Sequence, residues 1–197
     1  MASPVPSRSA TLRQSDWLAA AFSRFADQGV EAVRVEVLAR DLGVSKGSFY
    51  WHFKDRGELL ERMLSRWETD ELRWIAGENE AAPAARWAQI VAKTADPERI
   101  RSEVALRAWA RRDSRVAGRV ASIERKKAAV IADVLREVGF APSTADAWSE
   151  IVLMVCLGWL DRATRDRAFY AASRGLGEFL SEIILAASAG TSALPER

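Results

Sequence analysis

The sequence predicts an all-α chain of about nine helices. Apolar residues recur at three- and four-residue spacing between the Gly and Pro breaks, and no stretch keeps the two-residue alternation of a half-buried strand. Helix start signals, a Ser, Thr or Asp followed by Pro or by an acid or amide, stand ahead of many of these stretches. Hydrophobic residues make up 49% of the 197 positions and charged residues 28%. That is enough for a sizeable core and enough to keep the surface wet.

Met1 to Ala10 holds two prolines, three serines and Arg8, and reads as an arm outside the fold. Arg8 and Arg13 could bring it to a phosphate. Thr11 with Gln14 three residues on forms a capping box. The helix it opens runs to Gln28, with Trp17, Leu18, Ala21, Phe22 and Phe25 on its apolar side, and Gly29 ends it.

A short helix, Val37 to Leu42, places Leu38 and Leu42 on one face. Gly43 suits the left-handed turn that stops it. Val44 plugs the gap, and Ser45 is an N-cap for a second short helix from Lys46 to Phe53. Phe49 and Phe53, four apart, should face inward. Gly47, Ser48, Tyr50, Trp51 and Lys54 then lie on the other side. This is helix–turn–helix patterning, whose second helix enters a DNA major groove. Gly47 lets backbone come close to a duplex, and Ser48 and Tyr50 can donate to phosphate oxygens. Lys46, Lys54 and Arg56 bring charge, Trp51 offers a flat apolar surface, and His52 lies in the same helix.

The string GVSKGSFYWHFKDRGELL resembles the helix–turn–helix signature of the TetR family of bacterial transcriptional regulators, and AAAFSRFADQGVEAV upstream is similar to that family's first helix and turn. The resemblance covers roughly Thr11 to Trp67. Arg34 and Val35 depart from it, standing where the family commonly caps its second helix with Thr or Ser.

Asp55 and Glu58 form a further capping box and open a long helix carrying Leu59, Leu60, Met63, Leu64, Trp67, Trp74 and Ile75 as far as Gly77. It leaves the small head for the larger body. Glu78 to Ala85 is a break in which Pro83 starts the next helix, with Trp87, Ile90 and Val91. Asp96-Pro97-Glu98 restarts the chain as N-cap, proline and acid. That helix carries Ile100, Val104, Leu106 and Trp109 and closes near Arg111 and Arg112. Ser114 caps a helix from Arg115 to Val138, in which Arg125, Lys126 and Lys127 read as a solvated face. Gly139 and Pro142 end it. Two apolar helices follow, Thr144 to Arg162 and about Arg165 to Ala189.

The division expected is an arm at 1–10, a three-helix DNA-binding domain at 11–56, a helical regulatory and dimerisation domain at 57–190 and a polar tail at 191–197. Net charge is only +2, so any contact with DNA must come from a local cluster. One cysteine, Cys156, allows no intrachain disulfide and is too few for a zinc site. The lone His52 and the lone Cys156 stand on separate helices and make no nucleophile–base pair, so no enzyme, metal or cofactor is expected. No signal peptide or membrane-length apolar run is visible, and the chain reads as cytoplasmic.

One recognition helix discriminates too few base pairs to find a single genomic site. A two-fold homodimer on a palindromic double-stranded operator is therefore expected. The apolar terminal hairpin is where the two copies would meet, with Trp159, Leu176, Leu180, Ile183 and Ile184 as interface candidates. The resemblance implies the same, a four-helix bundle of the last two helices of each subunit. It also implies a pocket among the central helices for a small-molecule effector that releases DNA, repression being the family's usual behaviour. Trp67, Trp109 and Trp148 are the ligand-binding candidates. The alternative is a helical ligand-binding module whose head does not bind DNA.

Overall fold

A computed structural model of the chain describes residues 12–77, 83–93, 96–166, 168–169 and 180–182. Among these residues are eight α-helices, a short 3₁₀ turn and no strand. The helices are α1 Gln14–Gln28, α2 Val35–Asp41, α3 Lys46–Tyr50, α4 Arg56–Gly77, α5 Pro83–Lys93, α6 Pro97–Ala110, α7 Ser114–Glu137 and α8 Pro142–Arg165. The N-terminal arm, Thr11, the polar tail and most of the last expected helix, including Leu176, Ile183 and Ile184, lie outside the described residues; the first helix starts at Gln14 with Arg13 as its N-cap, not at the expected Thr11 cap.

The head is α1 to α3 with the start of α4. Trp17, Leu38, Phe49 and Leu59 are fully buried at its centre. The Phe49 ring meets Trp17 edge-on at 5.3 Å and stacks on Phe53 at 5.2 Å. Gly43, at φ 68°, makes the turn between α2 and α3. Its N–H donates to Arg40 O and that of Val44 to Ala39 O, the pair of bonds that closes a helix on a left-handed residue. The same closure ends α7, with Gly139 at φ 104° and Phe140 N–H donating to Leu135 O.

Several helix ends differ from the sequence reading. Helix α3 stops at Tyr50 rather than Phe53, because the chain tightens there and both His52 and Phe53 donate to Phe49 O. The cap of α7 is Asp113, whose carboxylate accepts from Arg115 and Val116 N–H; Ser114 is already helical. At α4 the Asp55 carboxylate accepts from Glu58 N–H as expected, but Glu58 returns its bond to Lys54 N–H. The Ser45 side chain makes no capping bond, although it occupies the N-cap of α3. Asp96 caps α6 as read, accepting from Glu98 and Arg99 N–H.

The body is α4 to α8, with α8 folded back along α7. The head's apolar interior does not stop at residue 56. It runs on through Leu106 and Trp109 of α6 to Val116 and Val120 of α7. Phe25 and Trp109 meet edge-on at 5.9 Å across this junction, so α1 rests on α6. Arg119 of α7 clamps α4 by donating to Glu61, Ser65 and Glu68 at 2.5–3.1 Å.

Candidate nucleic-acid interface and effector cavity

Phe49 and Phe53 fix the orientation of α3, because both are buried while the residues between them are not. Tyr50 and Trp51 are 60% and 89% exposed, the largest rings the described residues leave outside. Gly47, Lys46 and Lys54 are exposed as well, and Ser48 and His52 are half-buried. Exposing two aromatic rings beside two lysines forgoes burial worth about 2 kcal/mol per large side chain, which a partner surface can recover.

Two charged members of the predicted set already have partners. Lys46 pairs with Glu36 of α2 at 2.7 Å, both side chains being more than half exposed. The Lys46 ammonium is the first cause of a lowered Glu36 pKa. Arg56 does not reach outward. Its Nε donates to Val33 O and its Nη2 to Val30 O, each at 2.6 Å. The guanidinium ties the 3₁₀ turn to the start of α4, so Arg56 acts as a brace inside the head rather than a free surface charge. Gln14, expected to share a capping box with Thr11, instead opens α1 and reaches across the head. Its amide donates to His52 O at 3.1 Å and links α1 to the end of α3.

The three tryptophans named as ligand candidates do not converge. Trp67 and Trp109 line a void of about 20 Å³ beneath the head, with Phe22, Phe25, Met63 and Leu106. Trp148 packs edge-on against Phe140 at 6.5 Å in a separate core. The tryptophan that does line a cavity among the body helices is Trp74. This cavity, of about 70 Å³, has walls of Trp74, Ile90, Ile131, Leu153, Leu157 and Leu160, with Cys156 beside them. Its floor is charged: Arg99, Glu103 and Arg107 from α6, and Lys127 from α7.

Behind that floor lies a buried ionic cluster the sequence reading missed. Glu71 is 1% exposed and Glu103 4%. Arg99 bridges them at 2.5 and 3.4 Å, and Lys127 does the same at 2.8 and 3.6 Å. Arg107 holds Glu103 at 2.6 Å and reaches Glu124 at 3.1 Å. Burial pushes the Glu103 carboxyl up, but the charges of Lys127, Arg107 and Arg99 outweigh it and bring the pKa down to about 2. Glu71 is lowered too, burial again being overcome by the Arg99 hydrogen bond and the Lys127 charge. Lys127 is therefore an interior residue, not part of a solvated face, while Arg125 and Lys126 are exposed. The signal was present in the pattern. Glu71 sits four residues after Trp67 and Lys127 four after Ile123, each inside an apolar stripe.

An open groove of about 750 Å³ lies on the other side of this cluster, between α1, α4 and α6, with Leu18, Phe22 and Trp67 in it. Arg99 and Glu103 line both spaces. Trp159 and Leu180, expected at an interface between copies, are buried within the subunit. Trp159 packs with Ile100 and Ala163, and Leu180 joins the core around Ile90 and Leu135. The apolar residues α8 leaves outside are Ile151, Met154 and Val155, at 42%, 61% and 40% exposure. Cys156 is buried in the body, where burial pushes its thiol up to about 11. Among the described residues no cluster of metal-ligating side chains occurs, and no helix is long and apolar enough to cross a membrane.

Comparison with known proteins agrees with this geometry. Residues 18–63 match the profile of bacterial regulatory proteins, tetR family. The chain is 36% identical over 77 residues to the HTH-type transcriptional repressor KstR2 of Mycolicibacterium smegmatis, a match covering 39% of this chain and 35% of that protein. It thus spans about a third of that relative's length. A transcriptional regulator from Rhodococcus sp. Rha1 superposes on 93% of this chain and 100% of its own, with a TM-score of 0.73 and 20% identity. A protein of Saccharomonospora viridis described as a transcriptional regulator, in complex with choline, covers 86% of this chain and 95% of its own at TM-score 0.73 and 18% identity. At such identities the two structures establish a shared fold.

Proposed function

We propose that the chain, whose residues 18–63 match the profile of the tetR family of bacterial regulatory proteins, is a regulator of that family that binds a palindromic double-stranded operator as a homodimer and acts as a repressor released by a small molecule. One observation carries the DNA reading. Helix α3 and the turn after it hold Phe49 and Phe53 inside and thereby turn Tyr50 and Trp51 outward beside Lys54. Tyr50 and Ser48 are the hydroxyl donors to phosphate, Trp51 the apolar contact in the groove, and Lys54 a phosphate charge. Gly47 gives the close approach, and His52 follows at the end of the helix. Lys46 can serve DNA only by leaving Glu36, and Arg56 supports the head from within.

The dimer reading moves to the outer face of α8. Ile151, Met154 and Val155 form an apolar stripe with one-turn spacing, the kind a second copy covers. Regulation follows from the contact between head and body. Helix α6 carries the charged floor of the cavity on one side and meets α1 through Trp109 on the other. An effector that prefers one arrangement of α6 would shift the spacing of the two heads and so the population able to span successive major grooves. Such a protein works by binding and uses no catalytic group, and it acts where the chromosome is, in the cytoplasm.

The test is enrichment of random duplexes on the purified protein. A two-fold symmetric motif with half-sites about one helical turn or a multiple apart supports DNA binding and dimerisation together. No enriched sequence favours the ligand-binding module without DNA-binding activity.

A further inference from the structure

Resting on the reading of the body as an effector-binding domain, we propose that the cavity between α4, α5, α6, α7 and α8 takes a small apolar monoanion, a carboxylate on a short hydrocarbon chain, with Lys127, Arg99 and Arg107 as its counter-charges. The first ground is the sign of the lining. Three cationic side chains and a single carboxylate, Glu103, face an otherwise apolar space.

The second is the balance of the cluster behind it. Two buried carboxylates, Glu71 and Glu103, serve three cations, and the third acid, Glu124, stands at the outer edge with 26% of its side chain exposed. Counted together the three cations and three acids balance, but of the acids only Glu103 lines the cavity, while all three cations do. A bound anion would supply a second negative group on the side where these cations outnumber the carboxylate. The third ground is a spare donor. Arg107 Nε is buried and has no hydrogen-bond partner among the described residues.

A cation fits the same space poorly. Both buried carboxylates are already engaged by at least two basic groups each, and an ammonium would face Lys127, Arg99 and Arg107. Cys156 adds no negative charge, since burial keeps its thiol protonated. Size sets the class further. A space of about 70 Å³ holds about five water-sized groups at about 10–15 Å³ each. That suits a chain of about four to six carbons with modest movement of Leu153 and Leu157. Binding also has a route to the head. Arg99, drawn toward the ligand, loosens its bond to Glu71 of α4 while it still lines the groove against α1.

The experiment is calorimetric titration of the full chain at pH 7 with pentanoate, pentan-1-ol and pentylammonium. Pentanoate should bind at least tenfold tighter than either of the others. Lys127→Met should abolish that preference. Leu157→Trp, which fills the cavity without touching a charge, should abolish binding of all three, with circular dichroism at the assay temperature checking that the chain is folded. It keeps the test decisive if Lys127→Met fails to fold. Equal or tighter binding of the alcohol or the amine would overturn the proposal, as would pentanoate binding that survives Leu157→Trp. Absence of pentanoate binding to a protein that still selects a symmetric duplex sinks the ligand class and leaves the regulator reading intact. Tight pentanoate binding without duplex selection does the reverse.

Discussion

Replacing Arg56 by Met separates a brace from a DNA contact. The side chain makes two hydrogen bonds of 2.6 Å to the carbonyls of Val33 and Val30, half-buried between the 3₁₀ turn and α4. Hydrogen bonds from a charged donor contribute about 1.5–3 kcal/mol each, so at the low end, suited to a site water can reach, the pair contributes about 3 kcal/mol. Met retains the packing of the aliphatic stem, so this loss is mostly polar. A chain of this size loses about 2–4 °C of melting temperature per kcal/mol, which gives an expected fall of about 6–12 °C. Melting followed by circular dichroism reads it, and binding to an enriched duplex across a salt series supplies the second axis. Arg56→Met should leave the salt slope unchanged below the new melting point. Lys54→Ala, at an exposed position, should do the opposite, leaving stability alone and flattening the slope by about 0.9. If Arg56→Met melts with the wild type and flattens the slope instead, the guanidinium serves phosphate in solution and the bracing argument is wrong.

Tyr50→Ala should weaken duplex binding with the helical signal kept and a stability loss of about 1 kcal/mol from the Phe49 ring contact; unchanged affinity takes Tyr50 out of the interface. Glu103 makes a prediction about acid. Its folded pKa of about 2 lies below the ordinary 4.5, so its contribution is present in full above about pH 4.5 and is lost as pH falls toward 2. That contribution is on the order of 3 kcal/mol. Urea midpoints should show Glu103→Gln well below wild type at pH 7, with the gap narrowing between pH 4.5 and 2; a gap independent of pH would mean the carboxylate's charge is not what stabilises. Met154→Glu, at a position 61% exposed, should drive sedimentation toward monomer without unfolding, and a persistent dimer moves the interface off this face of α8. Leu180→Glu, by contrast, should destabilise the subunit itself, since Leu180 is 6% exposed inside it.

Local chemistry was enough to read the turn of the head and the two faces of its second short helix. The Gly43 turn, the inward Phe49 and Phe53 and the outward Tyr50 and Trp51 follow from backbone freedom and from side chains three and four apart, which depend on near neighbours in the chain. The Asp96 cap and the Gly139 stop were legible for the same reason. What the tertiary structure decided are the contacts between residues distant in sequence. Arg56 looks like any surface arginine until the carbonyls of Val30 and Val33 are folded against it. Lys127 reads as one of three basic residues in a row, and only the approach of α4 and α6 sets Glu71 and Glu103 around it. Trp159 and Leu180 are apolar whichever way they face, so their pattern marks a covered surface without saying whether this subunit or a second one covers it. Periodicity names the buried side of a helix; the partner on that side is chosen by how the helices cross, and a single helix carries no record of it.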